Sequence, residues 1–215
     1  MPFTLINRCK AIIWDWNGTL LDDLDICIHA MNRMLDARNY PLLSTDRYKE
    51  IFTFPVQDYY VKAGFDFSKD DWETVAMEFI DNYREEIPGA KLHQEVKEVL
   101  EFFKKQGKRQ FILSAMRHDF LMETISARLD PTIFETIAGL NDHYAATKVE
   151  NAHLLVKEIG LPKDLIVMIG DTIHDFEVAK EAGIGCILIA NGHQARERLE
   201  GTGARVIEEL RELLF

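Results

Sequence analysis

The chain has 215 residues, with 25 Lys and Arg against 36 Asp and Glu, a net charge of −11, and 47% hydrophobic residues. That length fits one substantial domain carrying at most a smaller insertion, and the apolar share supports a sizeable core. The acidic balance and the lack of a basic run argue against nucleic acid as a partner, because a duplex-binding surface carries clustered positive charge; an acidic chain still binds an anionic substrate where its site holds a metal ion.

Taken in chain order, short apolar runs each end in a polar or glycine turn. They are "AIIW" (11–14), "FIL" (111–113), "FETIAG" (134–139), "LIVMIG" (165–170), "CILIA" (186–190) and "ARVI" (204–207). Helical spacing fills most of the gaps, as with Leu92, Val96, Val99, Leu100 and Phe103 before Gly107, and Leu154, Leu155 and Ile159 before Gly160. Apolar strands alternating with helices predict an α/β fold, a Rossmann-like parallel sheet covered on both faces, with the ligand site outside the carboxyl ends of the strands. The gap between Trp14 and Gln110 is too long for a crossover. Within it Leu21, Leu24, Ile28, Met31 and Leu35 fall on one helical face, and Trp72, Val75, Phe79, Ile80 and Tyr83 on another after Ser68 as N-cap. Residues 21–89 are therefore read as an inserted helical cap on a core of residues 1–20 and 90–215, with hinges at "LLDD" (20–23) and "IPGA" (87–90). Such a cap closes over the strand ends and excludes water.

Chemistry-bearing residues fall at the ends of successive strands. "DWNGT" (15–19) contains an Asn-Gly pair that signals a hairpin when read locally. The helical period after Gly18 argues instead for a strand-to-loop turn that presents Asp15 to the site. Ser114 directly follows "FIL", Lys148 opens a helix, and "GDTIHD" places Asp171 and Asp175 after "LIVMI". Ser114 also reads as an N-cap, and the two aspartates as dipole-favouring helix starters. Lys148 lacks such a reading, because a cation at a helix N-terminus opposes the dipole.

With these residues in this order, the chain resembles the haloacid dehalogenase superfamily, in the branch with a helical cap after the first strand. The resemblance spans essentially the whole chain, and the tail "ANGHQARERL" is most similar to phosphoglycolate phosphatases and their relatives. "KVENAHLL" (148–155) resembles the family's K-P-x-P-x-x-L-L segment but lacks both prolines. The resemblance implies a Mg²⁺-dependent phosphatase of a small phosphorylated metabolite. Asp15 is then the nucleophile that forms an aspartyl-phosphate. Asp15, the backbone carbonyl of Asn17 and Asp171 hold the metal, with Asp175 supporting its shell. Lys148 neutralises charge, and Ser114 with the backbone N–H groups around Gly18 and Ala115 binds the phosphoryl oxygens. A carboxylate that attacks a phosphate needs cations between them, and phosphoryl transfer rests on positioning and neutralisation, so these residue types suit the reaction.

Asn17 departs from the pattern, because the family places a second aspartate there as acid and base. An asparagine keeps the backbone carbonyl and an amide donor but transfers no proton. General acid–base catalysis is worth ~10²–10⁴ in rate, so slow turnover of alkyl phosphates is expected. Alternatives stand beside this reading: a substrate with a good leaving group; a proton from His118 or a cap residue, with Arg117 and His118 otherwise plain helix-start residues; or a low-activity phospholigand-binding or regulatory protein. A phosphonatase-like hydrolase needs a cap lysine, for which Lys49 and Lys62 are the candidates. The acidic pair argues against a metal-free dehalogenase. Arg33, Arg38, Arg47 and Lys62 are the cap cations that could meet an anionic substrate group. Cys9, Cys27 and Cys186 form no pairing pattern, "MPFTLINRCK" has no signal-like apolar core, and no run reaches the ~18 apolar residues of a membrane span, so a cytoplasmic protein with free thiols and no membrane partner is expected.

Overall fold

The computed structural model describes residues 4–140 and 147–214. Helix α1 (Thr4–Arg8) leads into strand β1 (Ala11–Trp14), all of it buried. Strand β2 (Leu21–Asp22), helices α2 (Leu24–Asp36), α3 (Thr45–Ile51), α4 (Val56–Ala63) and α5 (Trp72–Glu86), and strand β3 (Lys91–Leu92) follow. Helices and strands then alternate as α6 (Val96–Lys105), β4 (Arg109–Arg117), α7 (His118–Ser126), β5 (Thr136–Leu140), α8 (Lys148–Ile159), β6 (Ile166–Gly170), α9 (Ile173–Ala182), β7 (Gly185–Ile189), α10 (Arg196–Glu200) and β8 (Arg205–Ile207). Among the described residues no helix is long and apolar enough to cross a membrane.

Six strands form one sheet in the order β5-β4-β1-β6-β7-β8, and every pairing is parallel. The apolar runs are continuous because both faces are covered. Ile12 and Trp14 pack on one side with Val99, Leu100 and Phe103 of α6. Ala11 and Ile13 pack on the other with Leu155 of α8 and Val178 and Ala182 of α9. Register then sets the site. Trp14 lies between Ile112 of β4 and Ile169 of β6. Asp15 is the next residue, and its N–H donates to the Ile169 carbonyl at 2.8 Å. Ser114 and Asp171 each stand two residues beyond those partners, so three chemical groups emerge at one level of the sheet.

The segment after β1 differs from its sequence reading. Asn17-Gly18 makes a tight turn in which the Gly18 N–H donates to Leu21 O at 2.9 Å, and β1 and β2 do not pair. Instead β2 pairs antiparallel with β3, Leu21 with Leu92 and Asp22 with Lys91. Leu21 therefore belongs to a strand and α2 begins at Leu24. Two residues are too few to show a period of two, and the pairing partner is some seventy residues away, which hid this ribbon. Ser68 also fails as the cap of α5: Asp71 holds that place and accepts from Thr74 N–H at 2.9 Å. The Ser68 hydroxyl donates to Asp66 at 2.6 Å instead.

The helices between β2 and β3 pack through aromatic rings, with Tyr48 against Tyr59 at 5.5 Å and Tyr60 against Trp72 at 5.3 Å between centroids. They are tied to the sheet domain by main-chain acceptors. The Phe52 carbonyl takes Gln194 Nε2 at 2.9 Å and the Arg198 guanidinium at 2.6 Å. The Lys49 carbonyl takes the same guanidinium at 2.9 Å. The capping assignment is testable by urea denaturation: Asp71→Ala should cost about 1 kcal/mol, and Ser68→Ala less than about 0.5 kcal/mol; the reverse order would restore Ser68 as the cap.

Candidate active site

The turn that carries Asp15 depends on one glycine. Gly18 has φ +70°, and a Cβ there would stand 2.4 Å from Asp171 Oδ2 and 2.5 Å from His193 Cδ2. No other residue fits without displacing the site. Gly18 itself does not line the cavity above the sheet; Asp15, Asn17, Ser114, Ala115, Lys148, Asp171 and Asp175 all do, in a space of about 310 Å³.

Lys148 is the first residue of α8, started by a capping box between Thr147 and Glu150. Its ammonium is buried and donates to Asp15 Oδ1 and, at 2.6 Å, to Asp175 Oδ1. Two carboxylates compensate the unfavourable helix dipole, which is why the lysine tolerates that position. Asp175 is the third residue of the capping box that starts α9. Its Oδ2 accepts from Thr172 Oγ1 at 2.6 Å, Thr172 N at 3.0 Å and Asp171 N at 3.2 Å. So many donors leave Asp175 an orienting group rather than an open ligand. Asp171 accepts from Thr19 Oγ1 at 3.1 Å and from His193 N at 2.6 Å. Oxygens of Asp15, Asp171 and Asp175 lie within 4.8 Å of one another.

The charges explain the titration behaviour. Burial raises Asp15 to about 8, with Lys148 opposing and Asp175 and Asp171 adding to the rise. Burial likewise raises Asp171 to about 6, partly offset by His193. Burial works against Asp175 too, but Lys148 and the Thr172 hydrogen bonds hold it below the usual range. Burial would lower Lys148, yet the two carboxylates beside it raise it. One ammonium cannot balance three carboxylates, and an oxygen-only donor set of this kind fits a divalent hard cation such as Mg²⁺.

Ser114 lies within β4, not at a helix cap; the N-cap position of α7 is Arg117. Its buried hydroxyl accepts from Met116 N at 3.1 Å and stays within the cavity wall. Arg117 also lines the cavity, paired to Asp119 by two 2.6 Å hydrogen bonds. His118 is exposed and not part of the lining, so it brings no proton there. Of the cations between β2 and β3, Arg33 pairs with Glu85, Arg38 with Glu78 and Arg47 with Glu50, and none of the three lines the cavity. Lys62 is exposed, and Lys49 reaches the Ala190 carbonyl. Neither lysine lines the cavity, which removes the support for a Schiff-base chemistry.

The sequence reading missed a second buried cluster beside the first. Asp23, read as part of a hinge, is buried and accepts from Gly18 N at 2.9 Å, Asn17 Nδ2 at 2.7 Å and the Tyr83 hydroxyl of α5 at 2.7 Å. His193 Nε2 stands 3.3 Å from Asp23 Oδ1, and its Nδ1 is 3.0 Å from the Tyr48 hydroxyl of α3. Burial alone would raise Asp23, but His193 and the hydrogen bonds from Tyr83 and Asn17 hold it at about 2. Burial would lower His193, and Asp23 foremost raises it to about 9. Asn17 Nδ2 also reaches the Tyr83 hydroxyl at 2.8 Å. The Asn17 amide nitrogen thus faces the Asp23 carboxylate and the Tyr83 hydroxyl together. The signal for Asp23 was an acidic residue five positions past a glycine turn, which nothing local separates from a solvated hinge charge.

The family profile of haloacid dehalogenase-like hydrolases matches residues 12–189, and the chain belongs to that family. It is similar to the N-acetylmuramic acid 6-phosphate phosphatase of Pseudomonas aeruginosa, 25% identical over 191 residues, covering 86% of this chain and 84% of that one. It is similar to the phosphoglycolate phosphatase of Pseudomonas savastanoi pv. phaseolicola, 23% identical over 217 residues, covering 95% and 78%. Its fold is similar to that of a haloacid dehalogenase-like hydrolase from Streptococcus pneumoniae (TM-score 0.82, 20% identity, 97% and 98% covered). It is also similar to CbbY from Rhodobacter sphaeroides in complex with phosphate (TM-score 0.74, 19% identity, 95% and 96% covered).

The Asp23–His193 pair predicts a pH dependence. His193 is raised above its unfolded value, so its contribution to stability is full below pH ~6.5 and is lost as pH rises through about 9. Asp23 is depressed, so its contribution is full above pH ~3.9 and is lost as pH falls through about 2. In chelator, His193→Gln should melt below wild type at pH 6.5, and the gap should close by pH 10; a gap that stays constant with pH would mean that the pair is not charged.

Proposed function

We propose that the protein is a Mg²⁺-dependent phosphatase of a small phosphorylated metabolite that works through an aspartyl-phosphate on Asp15. The observation that carries this is the Lys148 ammonium shared by Asp15 and Asp175, with Asp171 beside them, at the carboxyl end of a parallel sheet. Asp15, Asp171 and the Asn17 backbone carbonyl would hold the ion, and Asp175 would orient that shell. When bound, the cation neutralises carboxylate and phosphate charge and so lets the two anions meet. Asp15 then attacks phosphorus, the P–O bond to the substrate's alcohol oxygen breaks, and the alcohol leaves with a proton taken up from a donor or solvent, while Lys148 screens the transferring oxygens and Ser114 with the Ala115 N–H orients them. Water releases phosphate in a second step and restores the carboxylate. Named relatives that act on N-acetylmuramic acid 6-phosphate and phosphoglycolate support a phosphorylated metabolite as the substrate class.

A second reading, a low-activity phospholigand-binding protein, is favoured by the engagement of Asn17 alone. Phosphate release from a metabolite panel separates the two. Wild type should turn over with Mg²⁺ and stop with EDTA. Asp15→Asn should lose at least ~10³ in kcat and still bind phosphate. Wild type inert on every ester, with Asp15→Asn binding ligands equally well, would favour the binding protein.

The site also predicts how an acid could be restored. Asn17→Asp places a second carboxylate 2.7 Å from Asp23, and like charges that close do not both ionise. The exchange Asn17→Asp with Asp23→Asn avoids that repulsion and keeps one hydrogen bond between the positions. On alkyl phosphates it should raise kcat by ~10²-fold or more over wild type and should exceed Asn17→Asp alone; no gain from either would show that proton transfer does not limit turnover.

A further inference from the structure

Resting on the phosphatase reading of this same site, we infer that Tyr59 is a specificity-determining residue whose hydroxyl hydrogen-bonds a second oxygen on the alcohol part of the substrate, and that the substrate class is phosphate monoesters of polyols or sugars. A buried hydroxyl without a partner, on the cavity wall, carries this.

Buried polar groups in a folded chain have hydrogen-bond partners, and one without a partner carries a desolvation cost. Among the described residues, the buried side-chain polar atoms without a partner are Trp16 Nε1, Asp70 Oδ2, Asn191 Oδ1 and the Tyr59 hydroxyl. Of these residues Tyr59 alone lines the cavity above the carboxylates. Other tyrosines on that wall have partners within the chain. The Tyr83 hydroxyl donates to Asp23 at 2.7 Å, and the Tyr48 hydroxyl stands 3.0 Å from His193 Nδ1. Tyr59 has no room to swing toward such a partner. Its side chain is 2% exposed, and its ring packs on Tyr48 at 5.5 Å, Phe52 at 5.2 Å and Tyr60 at 5.5 Å between centroids. The partner of this hydroxyl therefore comes from what enters the cavity. Burial pushes the phenol up, with Cys27 and Tyr60 adding to the rise, so it meets a ligand as a neutral hydroxyl that both donates and accepts.

The proposed phosphoryl contacts, Lys148, Ser114 and the Ala115 N–H, belong to β4 and α8, whereas Tyr59 belongs to α4. Its hydroxyl therefore falls to the alcohol part of the ester. Phe52, Phe54, Phe79, Ile80 and Phe120 line the same cavity. A pocket built mostly of apolar surface with a few fixed polar groups orients its ligand through those groups. A polyol or sugar suits both features, with C–H surface for the rings and hydroxyls for Tyr59. A substrate of the same length without that oxygen would fill the cavity and seal the Tyr59 hydroxyl away unpaired, at the full desolvation cost of the group. That cost is the source of discrimination, because a site built to hydrogen-bond a substrate hydroxyl rejects the analogue that lacks it.

The test measures kcat/KM with Mg²⁺ on esters paired by carbon number: sn-glycerol 3-phosphate against propyl phosphate, ribose 5-phosphate against pentyl phosphate, and glucose 6-phosphate against hexyl phosphate. Acetyl phosphate, with its good leaving group, reports phosphoryl transfer without a polyol. In at least one pair the oxygenated member should exceed its alkyl partner by ~10-fold or more, and Tyr59→Phe should lower that member ~10-fold more than its partner. Melting in chelator separates this role from a structural one. Tyr48→Phe deletes a partnered hydroxyl and should melt below wild type, while Tyr59→Phe deletes an unpartnered one and should melt no lower. Three results would each overturn the inference and leave the phosphatase standing: wild type without preference in any pair, a Tyr59→Phe loss equal on both members, or a Tyr59→Phe melting point below that of wild type. If no compound, acetyl phosphate included, releases phosphate, the phosphatase reading fails and this inference with it.

Discussion

The arrangement everything else serves is three buried carboxylates around one ammonium. Two unit charges 4 Å apart interact by about 4 kcal/mol at an effective dielectric of 20, so Asp15, Asp171 and Asp175 repel one another on a scale that rivals the stability of a domain. Lys148 settles part of this for both Asp15 and Asp175, and the Asp175 carboxylate also collects three hydrogen bonds from the start of α9. Asp15 and Asp171 keep the residual strain, visible as carboxyls raised to about 8 and about 6. That residue of negative charge is the affinity for a cation. A cation held among these oxygens would lower the cost of ionising Asp15.

The sheet, and the residues it brings together at its carboxyl end, were legible in the sequence for a physical reason. Parallel strands buried on both faces read as unbroken apolar runs, so "AIIW", "LIVMIG" and "CILIA" fall within a residue of β1, β6 and β7. Polar residues that follow the apolar runs stand at the carboxyl end of the sheet, which picks out Asp15 and Asp171 after β1 and β6, and Ser114 after "FIL" although β4 continues to Arg117. Lys148 stood out because its dipole is wrong for its position. What was hidden depends on contacts between distant segments. The β2–β3 ribbon joins residues some seventy apart, and two residues carry no period. Asp23 and His193 are each unremarkable in sequence, and only folding places one 3.3 Å from the other. Asn17 was legible as a departure, but the direction its amide faces is a property of Asp23 and Tyr83.

Asn17 and Asp23 are best understood together. The carboxylate that holds the turn at Gly18 stands on the α2 side, at position 23. From there it fixes the Gly18 N–H, the Asn17 amide, the Tyr83 hydroxyl and the His193 ring. A charge kept at about 2 by so many donors is a structural anchor; it is too acidic to carry a proton at neutral pH. The loop is thus pinned at Asn17 and Gly18 by one buried carboxylate.

That anchor also joins two parts of the chain. Tyr83 and Tyr48 come from helices between β2 and β3, while Asn17 follows β1 and His193 follows β7, so the hydrogen bonds gathered on Asp23 and His193 bridge the helical segment and the sheet. Burial of that bridge beside Asp15 and Asp171 keeps the two acidic clusters in one water-poor region, where charges interact more strongly than in water.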